Sequence, residues 1–467
     1  MMQAQISKTI VVTTAGSLNS VLAASEKSTV TNLTVTGSIN ALDFITIRDS
    51  MPAIIELDLS GSTIVAYTGV IGTNSSRTYM ANSIPPFAFY DSKNYFRPIT
   101  TIVIPSSTVT IGSNAFNGLR KLNAFTITSS VATIGMDAFS NCANLTLITI
   151  PASVTSIGHS ALSASGLQEI TVDAVNSKYS SENGVLFNKN KTELIQCPLS
   201  KTGDYTIPNS VSSIASVAFL GNSLSNIEIP NSLTTIGSQA FNWGNGNLNV
   251  DANNTNFISV DGVLYNVDKT CILECPKNKT GNFDIPSSVI NIGQGAFSGC
   301  LYLESIKIPS TVTTIQSLAF SNCSGLQSIY SNSINPIVLN SSNDYFNYVD
   351  KTACTLYVPI GSKALYASAY GWKDFTNSIE TTSLSATDIS TINDETVSFY
   401  PNPSKLGFTI KNADNSLLQI YSLNGELIFN ATVSNNENIS TQTFQPGMYI
   451  LKIICKDQIT SRSLIVE

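Results

Sequence analysis

Charge is scarce in this sequence. Asp, Glu, Lys and Arg make up 12% of residues, against ~25% in an ordinary soluble domain. Disorder is not the reason, because 42% of residues are hydrophobic and 8% aromatic, enough to fill packed cores. Ser, Thr and Asn take the place of the missing charge, which makes a polar, weakly charged surface. A net charge of −7 with no basic stripe excludes nucleic acid as a main partner and disfavours anionic membrane surfaces. No run reaches the ~18 apolar residues of a membrane span.

Histidine is almost missing, His159 being the single one. A two-histidine metal site is therefore unavailable, and no G-x-S-x-G elbow, P-loop or dinucleotide fingerprint occurs. His159 reads as plain surface, since its counterparts in the repeat below are Ser113, Met136, Ser238 and Gln294. C-x-x-C pairs are absent too, which removes zinc. Asp251–Gly262 starts like a calcium loop, but Asn256 stands where Gly is needed and Gly262 where a bidentate Glu is needed. No metal, cofactor or enzymatic activity is expected. Paired carboxylates for glycoside hydrolysis are the one catalytic arrangement that scattered acids leave open. The eight cysteines show no disulfide framework. Cys142, Cys300 and Cys323 recur at one repeat position and Cys197 and Cys275 at another, as small buried hydrophobes do. Cys271 and Cys275 stand roughly 13 Å apart on a strand, too far to bridge.

What is present is a repeat. The phrase Ile-Pro-x-Ser-Val-x-x-Ile-Gly-x-x-Ala-Phe returns seven times, its Ile-Gly step falling at Ile111, Ile134, Ile157, Ile214, Ile236, Ile292 and Ile315. Adjacent copies lie 22 or 23 residues apart, within the leucine-rich-repeat range. Between copies runs Leu-x-x-Ile-x-Ile, a strand with one buried face, as in Leu145–Ile150 and Leu303–Ile308. Proline at 105, 151, 208, 230, 286 and 309 ends that strand. The Gly after Ile suits a tight or left-handed turn, and Ala-Phe fills the coil. One coil cannot cover both its faces, so stacking is required and a solenoid follows.

Two longer gaps hold related inserts, 78 residues apart at Gly184 and Gly262 or Cys197 and Cys275. Each reads as a β-hairpin turning near Asn188–Lys191 or Asn266–Lys269. The chain thus divides into an N-terminal cap (1–80), repeats (81–330) with inserts at 173–206 and 249–284, a C-terminal cap (331–380), a Ser/Thr-rich linker (381–394) and a final domain (395–467). In the cap, Thr31–Val35 and Glu56–Leu59 read as strands and Leu42–Arg48 as a short helix, and beyond it Ala88-Phe89 reads as a degenerate first coil. In the final domain the strand candidates are Val397–Tyr400, Gly407–Lys411, Leu417–Ser422, Glu426–Asn430, Gly447–Ile454 and Arg462–Val466. Asn424-Gly425 supplies a type I′ hairpin signal, and a small antiparallel β-sandwich follows.

Over roughly 40–380, the repeat phrase, the Asp261-Gly262-Val263-Leu264-Tyr265 type of insert and the tail Cys354–Phe375 resemble BspA-like leucine-rich repeats. That resemblance implies a surface-exposed or secreted protein that binds other macromolecules. Phe399–Ser404, Tyr421–Gly425 and Pro446–Lys452 resemble the C-terminal sorting domain of the type IX secretion system of Bacteroidetes. This implies export across the outer membrane through residues 395–467, to the cell surface or the extracellular space. Met1–Gln5 has neither the charged nor the apolar region of a signal peptide, and the expectation is that the native precursor carries one.

If binding is the function, the repeated residues build the core and the outward strand positions carry the contacts. Those are Asn123, Thr126, Thr146, Thr149, Gln168, Thr171, Asn226, Glu228, Glu304, Lys307, Gln327 and Tyr330. Stacked at ~4.8 Å per strand, they form a regular polar face for an extracellular protein. The insert tips with Tyr179, Asn188, Lys189 and Lys191 offer another surface. A glycan is the alternative partner, for which Tyr330, Tyr345 and Tyr348 supply aromatics. A hydrolase requires two convergent carboxylates in a cleft.

Overall fold

The computed structural model describes residues 5–466 apart from 77, 91–96, 164, 243, 245, 341–343, 382–397, 401–403, 412–415, 423–425 and 456–457. Two compact units are present, Met1–Ala386 and Thr387–Glu467. The linker beyond Thr381, the Asn424-Gly425 turn and Pro401–Pro403 lie outside the described residues.

The larger unit is a solenoid whose coils each cross two parallel sheets. The Leu-x-x-Ile-x-Ile stretch lies in the first: Leu147–Ile150 pairs with Glu169–Val172, Ile148 against Ile170. The Ile of each Ile-Gly step lies in the second, where Thr110-Ile111, Thr133-Ile134 and Ser156-Ile157 are successive rungs. Equal coil lengths place each residue over its counterpart, so identical side chains stack. Phe89, Phe116 and Phe139 are fully buried, at centroid spacings of 5.4 and 5.1 Å. Phe297, Phe320 and Phe346 repeat this at 5.3 Å. Cys142 and Cys323 sit three residues after their Phe, and each thiol donates to the Phe carbonyl of the preceding coil, at 3.3 and 3.0 Å. Burial pushes the Cys142 thiol up to about 12, so it stays a neutral donor. Cys142, Cys197, Cys271, Cys275, Cys300, Cys323 and Cys354 are free thiols.

The glycine of the Ile-Gly step has a different role from the one its position suggested. Its φ is not positive. A Cβ on Gly135 would stand 2.4 Å from the Ser113 backbone nitrogen, and one on Gly237 2.3 Å from that of Ser216. The residue is small so that successive coils can touch backbone to backbone. The left-handed conformation falls two residues later, at Phe87, Asn114, Asp137, Ser160, Val217, Gln239 and Leu318, all with φ between 52° and 61°. A second left-handed column follows each Phe, at Gly118, Asn141, Gly221, Gly299 and Asn322, and there the residue types match the need.

Coil geometry extends to both ends of this unit. Ser7–Val12, Asn32–Ile39, Glu56–Asp58 and Thr101–Val103 start the first sheet as parallel strands. Helix Ala41–Ser50 crosses the coil edge, capped by Asn40, whose Oδ1 accepts from the Leu42 N–H at 2.9 Å. The buried Asp43 carboxylate accepts from the N–H groups of Gly16, Leu18 and Asn40 and ties the first coils together. At the far end Thr355–Pro359 and Ser378–Thr381 add to the sheet. Tyr366, Trp372 and Phe375 close the core there.

Each insert contains the hairpin turning at Asn188–Lys191 or Asn266–Lys269, preceded by a second turn at Asn183-Gly184 or Asp261-Gly262. The result is a three-stranded antiparallel meander, Tyr179–Glu182, Val185–Asn188 and Glu193–Gln196, repeated as Phe257–Val260, Val263–Asn266 and Cys271–Glu274. The third strand of each joins the second solenoid sheet in parallel. The middle strand is buried on both faces and partitions the core. Leu186 packs with residues 10–170, while Val185 and Phe187 pack with the block that ends at Leu248. Leu264 and Val263 divide in the same way between that block and the last one. One buried Asn anchors each meander. Asn254 donates to the carbonyls of Pro230 and Leu233 at 2.8 and 3.1 Å and accepts from the N–H groups of Asn256 and Phe257. Asn176 makes the equivalent four bonds. Asn254→Ala is expected to cost about 2–4 kcal/mol, because several buried backbone groups lose their partner together; chemical denaturation measures it, and a loss under about 1 kcal/mol would contradict the anchor role.

The smaller unit consists of two antiparallel sheets. Ser398–Tyr400, Gly407–Lys411 and Asn438–Ser440 form one. Leu427–Val433, Ser416–Ser422, Gly447–Cys455 and Gln458–Val466 form the other. Phe408, Ile410, Leu418, Ile420, Leu451 and Leu464 are among the residues that make one core between them, a β-sandwich. The strand Asn438–Ser440 carries only Ile439 inward, too short a pattern to read beforehand.

Candidate functional site

The outward residues of the first sheet do not form one continuous face. Ile170 donates its N–H to the Gly184 carbonyl and Leu248 to that of Gly262, so the meanders interrupt the ladder and leave three panels. Asn123, Thr126, Thr146, Thr149, Gln168 and Thr171 lie on the first. Asn226 and Glu228 lie on the second, and Glu304, Lys307, Gln327 and Tyr330 on the third. Thr171, Asn226, Lys307 and Tyr330 are half-buried and the others exposed. Within a panel the register pairs like with like: Thr149 and Thr171 hydroxyls bond at 2.8 Å. On the second panel Asn226 donates to Asp204 at 2.8 Å and accepts from Asn247, and Asn249 donates to Glu228 at 2.8 Å. Asn226 and Glu228, two residues apart on one strand, stand in neighbouring columns opposite Asp204 and Thr206.

The third panel differs in chemistry. Asp284, Lys307, Tyr330 and Tyr357 occupy one column in register. The Tyr330 and Tyr357 rings stack at 4.4 Å with 6° between their planes. Tyr357, Asp284, Asn247 and Asn249 were missing from the expected set; their strands lie in the caps and inserts, where the repeat phrase fades. Tyr345 is corrected in the other direction. Its ring is buried with Phe346 in the last core block and offers nothing to a ligand. Tyr348 is exposed, as are Lys189 and Glu182 near the insert tips, whereas Asn188 and Lys191 are half-buried, with Lys191 paired to Glu182.

On the second sheet, each insert opens a crevice where a rung of the ladder is lost. The first has a volume of about 270 Å³ and is bordered by Ile157, His159, Tyr179, Glu193 and Gln196. The second, of about 230 Å³, is bordered by Ile236, Ser238, Phe257, Cys271 and Glu274, residues found 78 or 79 positions later. His159 is exposed at the first rim, with Nδ1 2.8 Å from the Ser160 hydroxyl. Each crevice has one carboxylate among its described lining residues. In the second, Glu274 forms a buried ion pair with Lys277, and its carboxyl is pushed up to about 7 by burial, with Lys277 opposing the shift. The corresponding pair in the first insert is uncharged, Gln196 and Leu199. No group of three or more His, Cys, Asp or Glu suited to a metal occurs among the described residues.

Two parallel sheets of stacked coils and a terminal β-sandwich define a leucine-rich-repeat solenoid followed by a small all-β domain. Residues 82–203, 196–281 and 267–366 match the BspA type leucine rich repeat region in six copies, and the chain belongs to that family. Residues 398–467 match the secretion system C-terminal sorting domain, which engages the secretion machinery and marks the chain for the cell surface or the extracellular space. Among solved structures, the pneumococcal vaccine antigen PcpA is similar at 21% identity, covering 76% of this chain and 80% of that one, with a TM-score of 0.41. A leucine-rich repeat protein from Eubacterium ventriosum shows 21% identity over 74% of this chain and 89% of that one, TM-score 0.43. A leucine rich cell surface protein from Faecalibacterium prausnitzii shows 25% identity over 65% and 79%, TM-score 0.41. No match was found among curated protein sequences.

Proposed function

We propose that this cell-surface or secreted repeat protein is a non-enzymatic adhesin that binds an extracellular protein, from a host or a neighbouring bacterium, through the panels of its first sheet. The observation that carries the reading is the in-register ladder of hydroxyl, amide and charged groups on rigid strands. Such a surface is pre-organised, so binding loses little conformational entropy, and its weak charge leaves shape and hydrogen bonds to set specificity. The Tyr330–Tyr357 stack favours a second reading, a glycan laid on the third panel, since aromatic faces pack against apolar ring faces.

The test is binding of the full chain to arrayed extracellular-matrix proteins, mucins and bacterial polysaccharides. Glu228→Lys and Lys307→Glu are expected to weaken saturable protein binding by about tenfold or more, ~1.4 kcal/mol. Binding to polysaccharides alone, lost in Tyr357→Ala, would replace the first reading with the second. Protein binding unchanged in both charge variants would remove the sheet face from the account.

A further inference from the structure

The two crevices are related by repetition but differ at one atom. In the parallel ladder of the second sheet, Gly158 donates to Ile134 and Gly237 to Ile214. The N–H of the residue between successive donors therefore points away from the preceding coil, into the crevice. At Ile157 that N–H donates to the Tyr179 hydroxyl at 2.9 Å, so the lost rung is replaced by a side chain of the meander. The counterpart of Tyr179 is Phe257, which has no hydroxyl. The Ile236 N–H therefore has no partner among the described residues and faces the second crevice. Ile236 is half-buried at the edge of the crevice, so its N–H meets water in the free protein, and an incoming acceptor takes the place of that water.

The remaining lining specifies what the acceptor belongs to. Ser238, Gln239, Gln294 and Gln316 make a hydroxyl and amide rim, and Phe257 and Ile236 an apolar wall. The Ser238 hydroxyl donates to Gln294 Oε1 at 3.1 Å, and Gln316 Oε1 accepts from the Gln294 backbone N–H at 3.1 Å. Both interactions hold the amides so that their nitrogens remain available to a ligand. Charge is absent from the rim, because the one carboxylate, Glu274, is buried and paired with Lys277. A charged ligand would lose hydration there without finding a counter-charge. A peptide is disfavoured by the edge itself. Thr235–Ile236 is two residues long, so an added strand would gain ladder bonds at Ile236 alone, far from what strand addition uses for affinity. The volume, about 230 Å³, is below the ~300–1,000 Å³ of drug-sized pockets.

We propose that the second crevice is a subsite for a neutral saccharide unit, with Ile236 N–H donating to a sugar oxygen, Gln239, Gln294 and Gln316 bonding hydroxyls, and Phe257 against the apolar ring face. The first crevice, its amide already taken by Tyr179, is the counterpart without an open donor. None of these residues belongs to the sheet panels, so the site stands or falls separately from the adhesin reading.

The test uses the full chain against an array of neutral di- to octasaccharides of hexoses and N-acetylhexosamines, with calorimetric titration of the members that bind. Phe257→Tyr places the hydroxyl of the first insert at the second and is expected to weaken binding by about tenfold or more, ~1.4 kcal/mol, with the thermal melt unchanged. Gln294→Ala, at an exposed position, is expected to weaken it too, while Glu228→Lys leaves it intact. An array without a binder, or binding unaltered in both Phe257→Tyr and Gln294→Ala, overturns the proposal. Sugar binding lost only in Glu228→Lys or Tyr357→Ala moves the ligand to a sheet panel, which overturns the crevice site and leaves surface binding in place.

Discussion

Replacing Lys277 by Leu is expected to destabilise the protein by about 3–5 kcal/mol at mildly alkaline pH, the usual cost of stranding one partner of a buried ion pair. Glu274 and Lys277 are each about 4% exposed. Burial raises Glu274 from its ordinary value of 4.5 to about 7. Burial alone would lower Lys277, but the Glu274 carboxylate beside it holds it raised. With Lys277 gone, nothing opposes the desolvation of Glu274, and its carboxyl moves further up. The sign of the pH dependence follows. A carboxyl whose folded value lies above its unfolded value contributes stability that is full below 4.5 and lost as pH rises through the folded value. The penalty of Lys277→Leu therefore shrinks on acidification toward about 7, because the unpaired Glu274 takes up its proton above the value it has beside Lys277. The double variant Glu274→Gln/Lys277→Leu recreates the first insert, where Gln196 donates to the carbonyls of Cys197 and Ala218 at 3.0 and 3.2 Å. It is expected to recover the wild-type stability or exceed it by about 1–4 kcal/mol. Urea denaturation across a pH series measures all of this. A loss under about 1 kcal/mol for Lys277→Leu, flat with pH, would show that water reaches Glu274 through the crevice.

The pair itself was readable in the sequence only as a difference between two copies: Gln196 and Leu199 against Glu274 and Lys277, at the same offset of 78. Repetition explains why most of the fold could be read. The Ile, Ala and Phe positions recur because each coil packs only on its neighbours, so local pattern and tertiary contact coincide. Val185-Leu186-Phe187 carried a signal for the partition strand as well, an apolar run without alternation, which is what burial on both faces requires. Other features are properties of coil against coil. The close approach at Gly135 depends on Ser113, and the open amide at Ile236 depends on a residue 21 positions on. The panels lost continuity because the meanders bond to Ile170 and Leu248, an arrangement that strand periodicity does not encode. Tyr345 shows the same limit. Outside the repeat phrase nothing in its neighbours distinguishes a core ring from a surface one.

Phe297→Ala is the second large effect, with an expected loss of about 3–5 kcal/mol. The ring is fully buried, stacked on Phe320 at 5.3 Å and edge-on to Phe283 at 5.4 Å. The stacked coils on one side and the meander on the other fix its surroundings, so little collapse into the cavity is available. The loss is confined to one block. In a solenoid, stability is a sum of coil and nearest-neighbour terms, and here the apolar cores on the two sides of a meander join through its middle strand. Val263 and Tyr265 side with the last block and Leu264 with the middle one. The variant is therefore expected to unfold in two steps, residues from about 263 onward opening before the N-terminal coils. Hydrogen exchange reads this directly. Protection should fall in Leu303–Ile308 and Ser328–Ser331 and stay high in Leu147–Ile150. The mirror substitution Phe139→Ala, between Phe116 and Phe125, should reverse the order. Uniform loss of protection along the chain in either variant would mean that the meanders transmit stability as fully as an ordinary coil does. In that case the partition of the core is one of packing and not of cooperativity.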